Sequence, residues 1–136
     1  MKVVTGVVGN DVHVVANRLI EISLNERGFT VYNLGVNTYL EEFLDALLET
    51  DADLLLISSL NGEAEGWCRN LKILRSRYRF RKEPLFVIGG NLGVGEMDPE
   101  ALGPKFREYG FDLVYHQVDL NEALDEVERV LKEKHS

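Results

Sequence analysis

An aspartate and a histidine lie two residues apart where an apolar run gives way to an amphipathic one. The carboxylate of Asp11 can accept a hydrogen bond from one ring nitrogen of His13, which fixes the tautomer and leaves the other nitrogen as a base or a metal ligand. The same two residues also suit an ordinary helix start, in which Asp11 caps the helix and His13 is an exposed loop residue. Both interpretations stay open on this pair alone.

Two later segments place small and polar residues at the ends of apolar runs. Ser58 and Ser59 precede Leu60, and hydroxyl groups at a strand end bind a polar ligand or satisfy backbone groups of the loop. Four of the seven residues from 89 to 95 are glycine, the residue that loses the most backbone entropy on folding. Such a segment is expected where the backbone approaches a ligand closely, and a flexible turn is the alternative. It is neither a dinucleotide fingerprint, which follows the first strand, nor a P-loop, because no Gly-Lys-Ser/Thr follows.

The elements that must position these segments alternate between short apolar runs and longer amphipathic ones. Continuous apolar runs predict strands that are buried on both faces of a parallel sheet, and a repeat of three to four residues predicts helices. The predicted strands are 3–8, 30–33, 54–58, 85–88 and 113–115, and the predicted helices are 14–27, 40–50, 65–78, 99–109 and 121–134.

Strict alternation of strand and helix predicts an α/β fold, with a doubly wound parallel sheet of the flavodoxin or Rossmann type and helices on both faces. Five strands favour the order 2-1-3-4-5, whose switch point lies between the first and third strands. A ligand is expected over the carboxyl ends of those strands, which brings loops 9–13, 58–65 and 89–97 to one edge. All 136 residues are expected to form a single domain.

Within the predicted helices, two sets of side chains are expected to have a packing role. In the first helix, Val15, Leu19, Ile22 and Leu24 are predicted to share one side, opposite the polar residues. In the third, Trp67 and Leu71 are predicted to pack on the sheet, and Cys68 lacks a neighbour that would activate its thiol.

Composition excludes several classes of protein. Lys+Arg number 15 against 23 for Asp+Glu, and the net charge of -8 disfavours nucleic acid and anionic membrane surfaces as partners. The single cysteine excludes an internal disulfide and a cysteine-based zinc site. No run approaches the roughly 18 uncharged apolar residues of a membrane span, and the N-terminal apolar run is too short for a signal peptide. A cytoplasmic protein is expected.

Asp-x-His, Ser-x-Leu and Gly-Gly, on three loops of one sheet edge, resemble the cobalamin-binding module, whose members have DxHxxG, SxL and GG on a flavodoxin-like sheet. The likeness extends to the small subunits of glutamate mutase (methylaspartate mutase) through segments 6–13, 57–62, 89–95 and 109–112. Ala16 stands where the family motif ends in glycine, and the turn after the fifth strand reads His116-Gln117-Val118-Asp119 where a Gly-Thr pair is common. These departures are expected to change how the cofactor's tail fits.

The resemblance implies a vitamin B12 cofactor, adenosylcobalamin, whose own base is displaced by His13 as the lower axial ligand of cobalt. Asp11 would hydrogen-bond the other ring nitrogen of His13, and the displaced nucleotide tail would thread between strands 1 and 3. The cofactor-binding residues that the resemblance implies are Asn10, Asp11, Val12, His13, Val14, Ser58, Ser59, Leu60, Gly89, Gly90, Asn91, Leu92, Gly93, Val94 and Gly95.

The resemblance also implies an isomerase that rearranges L-glutamate to 3-methylaspartate by radical chemistry. A separate large TIM-barrel subunit would hold the substrate, so this chain would be inactive alone and would have no catalytic residue of its own. Two alternatives stay open: a non-enzymatic cobalamin carrier or sensor, and the small subunit of another B12-dependent mutase acting on an acyl-CoA or a glutamate analogue.

Overall fold

The computed structural model describes residues 1–9, 13–59, 61–93 and 99–135. Within these ranges, five strands alternate with helices along the chain. The elements are β1 (Lys2–Val7), α1 (Val14–Glu26), β2 (Thr30–Asn33), α2 (Leu40–Thr50), β3 (Leu54–Ser59), α3 (Ala64–Cys68), α4 (Leu71–Ser76), β4 (Leu85–Gly90), α5 (Pro99–Tyr109), β5 (Leu113–His116) and α6 (Leu120–Lys134).

The strands form one parallel sheet in the order β2-β1-β3-β4-β5, which confirms the predicted topology. Three strands extend further than predicted at their carboxyl ends, to Ser59 in β3, Gly90 in β4 and His116 in β5. The two added residues of β4, Gly89 and Gly90, pair with Ser58 and Ser59 of β3. Hydrogen bonding to a neighbouring strand here outweighs the low strand propensity of glycine. The glycine pair is therefore part of the sheet and not of the following loop.

The prediction of one helix over residues 65–78 is wrong. The segment forms two short helices, α3 and α4, separated at Arg69 and Asn70. Gly66 and Asn70 are both poor helix formers, so propensity does not hold the segment together. The break lets Cys68 and Leu71 both reach full burial in the same core.

Helices cover both faces of the sheet, as the doubly wound fold requires. On one face, α2 to α5 pack against strand residues such as Leu55, Phe86 and Ile88. On the other, α1 and α6 pack through Leu24 and Leu124 against a second set of strand residues. The two cores are separated by the sheet itself, since successive strand residues point to opposite faces.

The predicted side of α1 is also wrong. Leu24 is fully buried, but Val15 is 74% exposed and Leu19 is 56% exposed. Asn17, seven residues before Leu24, faces the sheet with it and donates a hydrogen bond from Nδ2 to Asn33 Oδ1 at 3.0 Å. The buried residues of α1 are thus Asn17 and Leu24, while Val15 and Leu19 leave apolar surface exposed. In the ranges that the structure describes, no helix combines the length and apolarity needed to cross a membrane.

Candidate functional site

The turn after β1 brings the chain to the carboxyl edge of the sheet. Val8 pairs with Thr38, and the Gly9 amide donates to the Thr38 carbonyl oxygen at 2.8 Å. His13 is the residue immediately before α1, where its imidazole is exposed and does not cap the helix. His13 therefore lies at the carboxyl edge of the sheet, next to the start of α1. Val14, which is also exposed, is the first residue of α1, and the predicted residues Asn10, Asp11 and Val12 lie outside the described residues.

Gly9 is held in place by an aromatic side chain that the sequence assigned only to packing. Gly9 has a φ of +72°, and a Cβ added there would lie 2.3 Å from Nε1 of Trp67. The Trp67 ring in turn contacts Tyr39, with ring centroids 5.4 Å apart. The turn that leads to His13 is therefore shaped by a residue of α3, far away in the chain. A glycine two residues after β1 was the one local signal of this contact.

A cavity of about 250 Å³ lies between α1 and α6 on the face of the sheet. Ser58, Gly89 and Gly90 border it near the carboxyl edge, while Leu56 and Val87 lie one step further down the same strands. The strand residues that line it come from β3, β4 and β5. Residues 3–7 of β1 pair with residues 54–58 of β3, and the cavity lies on the face of the sheet and not between these two strands.

The cavity brings together only some of the predicted residues. Ser59 is buried but is absent from the lining, and Leu92 is buried in the core of the opposite face. Asn91 and Gly93 follow β4 at the edge and are also outside the lining. Leu60, Val94 and Gly95 lie outside the described residues.

Several lining residues were not predicted, because they lie on helices and strands and not on the loops at the sheet edge. Ala16 and Leu19 of α1, together with Leu124 and Val127 of α6, form much of the wall. Tyr115 of β5 completes it and donates its hydroxyl to Glu126 Oε1 at 2.6 Å. Burial and this hydrogen bond raise the pKa of Tyr115 well above its ordinary value, so the phenol stays neutral. The apolar pattern of the last helix was the signal that could have indicated its part in the wall.

Two buried polar atoms at the edge lack partners among the described residues. They are Oγ of Ser59 and Oδ1 of Asn91, whose backbones are joined by a hydrogen bond of 2.7 Å from the Asn91 amide to the Ser59 carbonyl oxygen. Buried polar groups are nearly always paired in folded proteins. The ends of β3 and β4 therefore offer hydrogen-bonding capacity that the described part of the chain does not use.

The last residue of β5 and the residue after it hold the glycine segment in place. The Leu92 amide donates to Nδ1 of His116 at 3.1 Å, and the Gln117 amide donates to the Gly90 carbonyl oxygen at 2.8 Å. Gln117 adopts a φ of +54°, a conformation that glycine adopts more easily. His116 is thus a backbone anchor for the segment that borders the cavity.

The thiol of Cys68 has no part in this site. Cys68 is completely buried beneath α3, and burial raises its pKa to about 12. A thiol with that pKa stays protonated near neutral pH and is a poor nucleophile. The prediction that Cys68 lacks an activating environment is confirmed.

Comparison with known proteins identifies the family. The family model of the B12 binding domain matches residues 1–102. The glutamate mutase sigma subunit of Carboxydothermus hydrogenoformans is 43% identical over 119 residues, covering 85% of this chain and 83% of that protein. The chain belongs to the glutamate mutase sigma subunits, a B12-binding family. The predicted family, cobalamin cofactor and role as the cobalamin-binding subunit of glutamate mutase, an isomerase, are confirmed.

Two further sigma subunits support the assignment. That of Treponema denticola is 42% identical over 115 residues, covering 85% of this chain and 82% of its own length. That of Halobacterium salinarum is also 42% identical, over 113 residues, covering 83% of this chain and 74% of its own length. The likeness to glutamate mutase sigma subunits thus extends over at least three organisms.

Solved structures confirm the fold. The monomethylamine corrinoid protein of Methanosarcina barkeri superposes with a TM-score of 0.75 at 21% identity, covering 95% of this chain and 57% of that one. A cobalamin-binding protein from Desulfitobacterium hafniense superposes with a TM-score of 0.72 at 18% identity, covering 94% and 57%. The chain thus spans a little over half the length of these two proteins.

Proposed function

We propose that the cavity between α1 and α6 holds the nucleotide tail of adenosylcobalamin, and that His13 is the lower axial ligand of its cobalt. The observation that supports this most directly is the position of Gly89 and Gly90, which border the cavity where it meets the carboxyl edge. His13 lies at the same edge, at the start of the helix that forms one wall.

Gly89 leaves a space beside its backbone that a larger side chain would fill. A Cβ added there would meet nothing closer than Tyr115, at 3.7 Å, which is ordinary contact. It would point to the same face as Val87, two residues earlier, and so toward the cavity. Glycine in a strand costs roughly 0.5–1 kcal/mol relative to alanine. The fold gains nothing visible from glycine here, whereas a ligand lying against the backbone would require it.

The donor set fits the proposed cofactor. An exposed imidazole is a good ligand for a metal that arrives already bound in a macrocycle, and a carboxylate at Asp11 would fix its tautomer. Ser58 borders the cavity and offers its hydroxyl group to a polar group of the tail. Ser59 Oγ and Asn91 Oδ1 lie outside the lining and offer partners only to groups of the cofactor at the edge of the sheet. Asn10, Val12, Val14, Leu60 and residues 93–95 would lie near the same tail, whereas Leu92, which is buried in the core of the opposite face, would not contact it. When bound, adenosylcobalamin supplies the radical chemistry, and the residues of this chain bind and orient it.

The rest of the enzyme would be a second polypeptide. The relatives are named sigma subunits of glutamate mutase, which supports a partner, and we propose that this partner is a large TIM-barrel subunit that binds glutamate. The same names favour the mutase over a cobalamin carrier and over a mutase with another substrate. One continuous five-stranded sheet supports a single cobalamin-binding domain over all 136 residues.

The test is a visible-absorption titration with adenosylcobalamin and hydroxocobalamin, comparing the wild type with His13→Ala. We expect the wild type to bind both corrinoids with their own base displaced, and the alanine variant to give a different spectrum because the axial nitrogen is gone. His135→Ala is the matched control, since His135 follows α6 and contacts Asp53 at 3.7 Å, at the opposite edge. An unchanged spectrum in His13→Ala would contradict the proposed ligand.

A further inference from the structure

We infer that two copies of this chain associate through the outer surface of α2 and α4. That surface lies on the face of the sheet opposite α1, α6 and the cavity, so the inference does not depend on the proposed function. Two features of the surface support it. Neighbouring helices have opposite charges, and each helix has one exposed apolar side chain.

Positive charge is concentrated in one segment of an acidic chain. Half of the fourteen residues from 69 to 82 are arginine or lysine and none is acidic, although the whole chain has a net charge of -8. The segment includes α4 and the loop that leads to β4. Lys72, Arg77 and Arg79 are exposed and form no ion pair with any residue that the structure describes. We call these three residues the basic stripe.

Helix α2, which packs beside α4, has the opposite charge. Residues 40–51 include five carboxylates and no basic side chain. Glu41, Asp45 and Glu49 are exposed on α2, and we call them the acidic stripe. The hydroxyl group of Tyr78, which lies within the basic segment, donates to Asp45 Oδ1 at 2.6 Å. The acidic and basic stripes therefore lie side by side on one surface.

Each stripe has one large apolar side chain close to it. Leu48 of α2 is 44% exposed, and Ile73 of α4 is 59% exposed. Protein interfaces commonly have apolar residues at their centre and polar residues around them. Association through this surface would remove both side chains from water, which is favourable in proportion to the apolar area covered.

A second copy of the chain has the charges that this surface requires. A two-fold symmetric interface pairs the same patch of both subunits. When the axis lies in the interface, between α2 and α4, the acidic stripe of each copy faces the basic stripe of the other. An acidic partner of another kind would pair with the basic stripe only and would be repelled by the acidic one. The pattern therefore favours a second copy as the partner.

The association is expected to be weak. Helix α2 has eleven residues and α4 has six, so they offer less than the roughly 800 Å² per partner that a stable complex buries. Exposed ion pairs each contribute little and are screened by salt, and the net negative charge of each copy opposes association. We expect a dimer that forms at high protein concentration and dissociates at high ionic strength.

The test is sedimentation velocity of the full chain without corrinoid, from micromolar to millimolar concentration, at low and at high ionic strength. At low ionic strength, the sedimentation coefficient should rise with concentration toward that of a dimer. At high ionic strength, the dissociation constant should increase about tenfold or more, because the stripes are screened. A chain that stays monomeric at millimolar concentration and low ionic strength would overturn the inference.

Reversal of charge locates the interface. Glu41→Lys with Glu49→Lys reverses the acidic stripe, and Lys72→Glu with Arg77→Glu reverses the basic stripe. Each double variant should stay monomeric alone, because like charges then face each other. An equimolar mixture of the two variants should associate, because both contacts regain opposite charges. Dimerisation of either variant alone, or failure of the mixture to associate, would overturn the inference.

The matched control changes the net charge on the other face of the sheet. Lys132→Glu with Lys134→Glu, at exposed positions of α6, alters the net charge as much as reversal of the basic stripe does. This variant should dimerise nearly as the wild type does. Thermal melts separate loss of fold from loss of association, and the single substitutions Glu49→Lys and Arg77→Glu repeat the mixing test if a double variant is unstable.

Corrinoid titration of the same variants keeps this inference distinct from the proposed function. Monomeric variants that bind adenosylcobalamin as the wild type does would support the inference that the two surfaces are separate. Dimers that fail to bind any corrinoid, with and without the partner subunit, would overturn the proposed function and leave the association standing.

Discussion

The two faces of the sheet are packed differently. On the face covered by α2 to α5, which we call the filled face, the rings of Phe43, Phe86 and Phe106 are completely buried. On the face covered by α1 and α6, the cavity face, the core is largely aliphatic and a cavity replaces it toward the carboxyl edge. One sheet thus supports dense packing on one side and space for a ligand on the other.

The difference between the two faces separates the residues that stabilise the fold from the residues that would bind the cofactor. Aromatic rings in a close-packed interior contribute strongly to stability, because each buries a large apolar surface. Helix α1 on the cavity face has little buried surface to lose, since Val15 and Leu19 are mostly exposed. Substitutions on the filled face should therefore affect folding, and those on the cavity face should affect binding.

The largest expected effect is on the filled face. Phe43→Ala should lower the free energy of unfolding by about 3–5 kcal/mol, because it leaves a cavity in a close-packed core. Leu19→Ala on the cavity face should cost less than about 1 kcal/mol, since the side chain is 56% exposed. Urea denaturation measures both values. Similar losses of unfolding free energy at the two positions would contradict the different roles of the two faces.

The next largest effect is expected at the edge where the two faces meet. Gly9 and Gly28 both have positive φ, +72° and +87°, but a Cβ at Gly9 overlaps Trp67 whereas a Cβ at Gly28 meets nothing within 4 Å. Gly28→Ala should cost about 1–2 kcal/mol from backbone strain alone. Gly9→Ala should cost more, because Trp67 must also move, and it should weaken cobalamin binding. Equal stability of the two variants would show that the Trp67 contact is unimportant.

On the cavity face, stability and binding should move in opposite directions. Gly89→Ala should leave the free energy of unfolding unchanged or raise it by up to about 1 kcal/mol, and should weaken cobalamin binding about tenfold by crowding the tail. Gly66→Ala, on an exposed position of α3 with open space around its Cβ, is the control and should leave binding unchanged. Calorimetry and corrinoid titration measure the two properties. Unaltered affinity in Gly89→Ala would place the tail elsewhere.

The smallest effect concerns the ion pair and the hydrogen bond that join α3 to α5 on the filled face. Glu65 accepts hydrogen bonds from Lys105 at 2.7 Å and from the Tyr109 hydroxyl at 2.8 Å, and these lower its pKa below the ordinary value. Because the pKa is lower in the folded state, the stabilisation is present above the ordinary glutamate pKa and is lost as pH falls through the folded value.

Glu65→Gln should therefore cost about 0.5 kcal/mol near neutral pH, since the group is partly exposed. The difference from wild type should shrink as the pH falls below the ordinary glutamate pKa, and it should vanish once Glu65 is protonated in the folded state. Chemical denaturation of both proteins across this pH range measures it. A difference that grows on acidification would have the wrong sign for this account.

Local signals in the chain were enough to predict the sheet order and most element bounds. β2, α2 and α5 begin and end at the predicted residues, because continuous apolar runs and helical repeats are written in short stretches. The carboxyl-edge position of His13 and the glycine pair followed from strand order alone. The Ser58, Gly89 and Gly90 contributions to the cavity could therefore be predicted in kind, although the strand membership of the glycines could not.

What only the tertiary structure decided concerns orientation and space. Whether Val15 or Leu24 faces the sheet depends on the hydrogen bond between Asn17 of α1 and Asn33 of β2, which meet only in the folded protein. The contact of Trp67 with Gly9 and the wall formed by Tyr115 and α6 join residues far apart in the chain. Propensity and periodicity depend on near neighbours, whereas a cavity is the volume that distant elements leave between them. For that reason the amino-acid pattern indicated the edge at which a cofactor would bind, whereas the positions of α1 and α6 on the sheet defined the volume of the cavity.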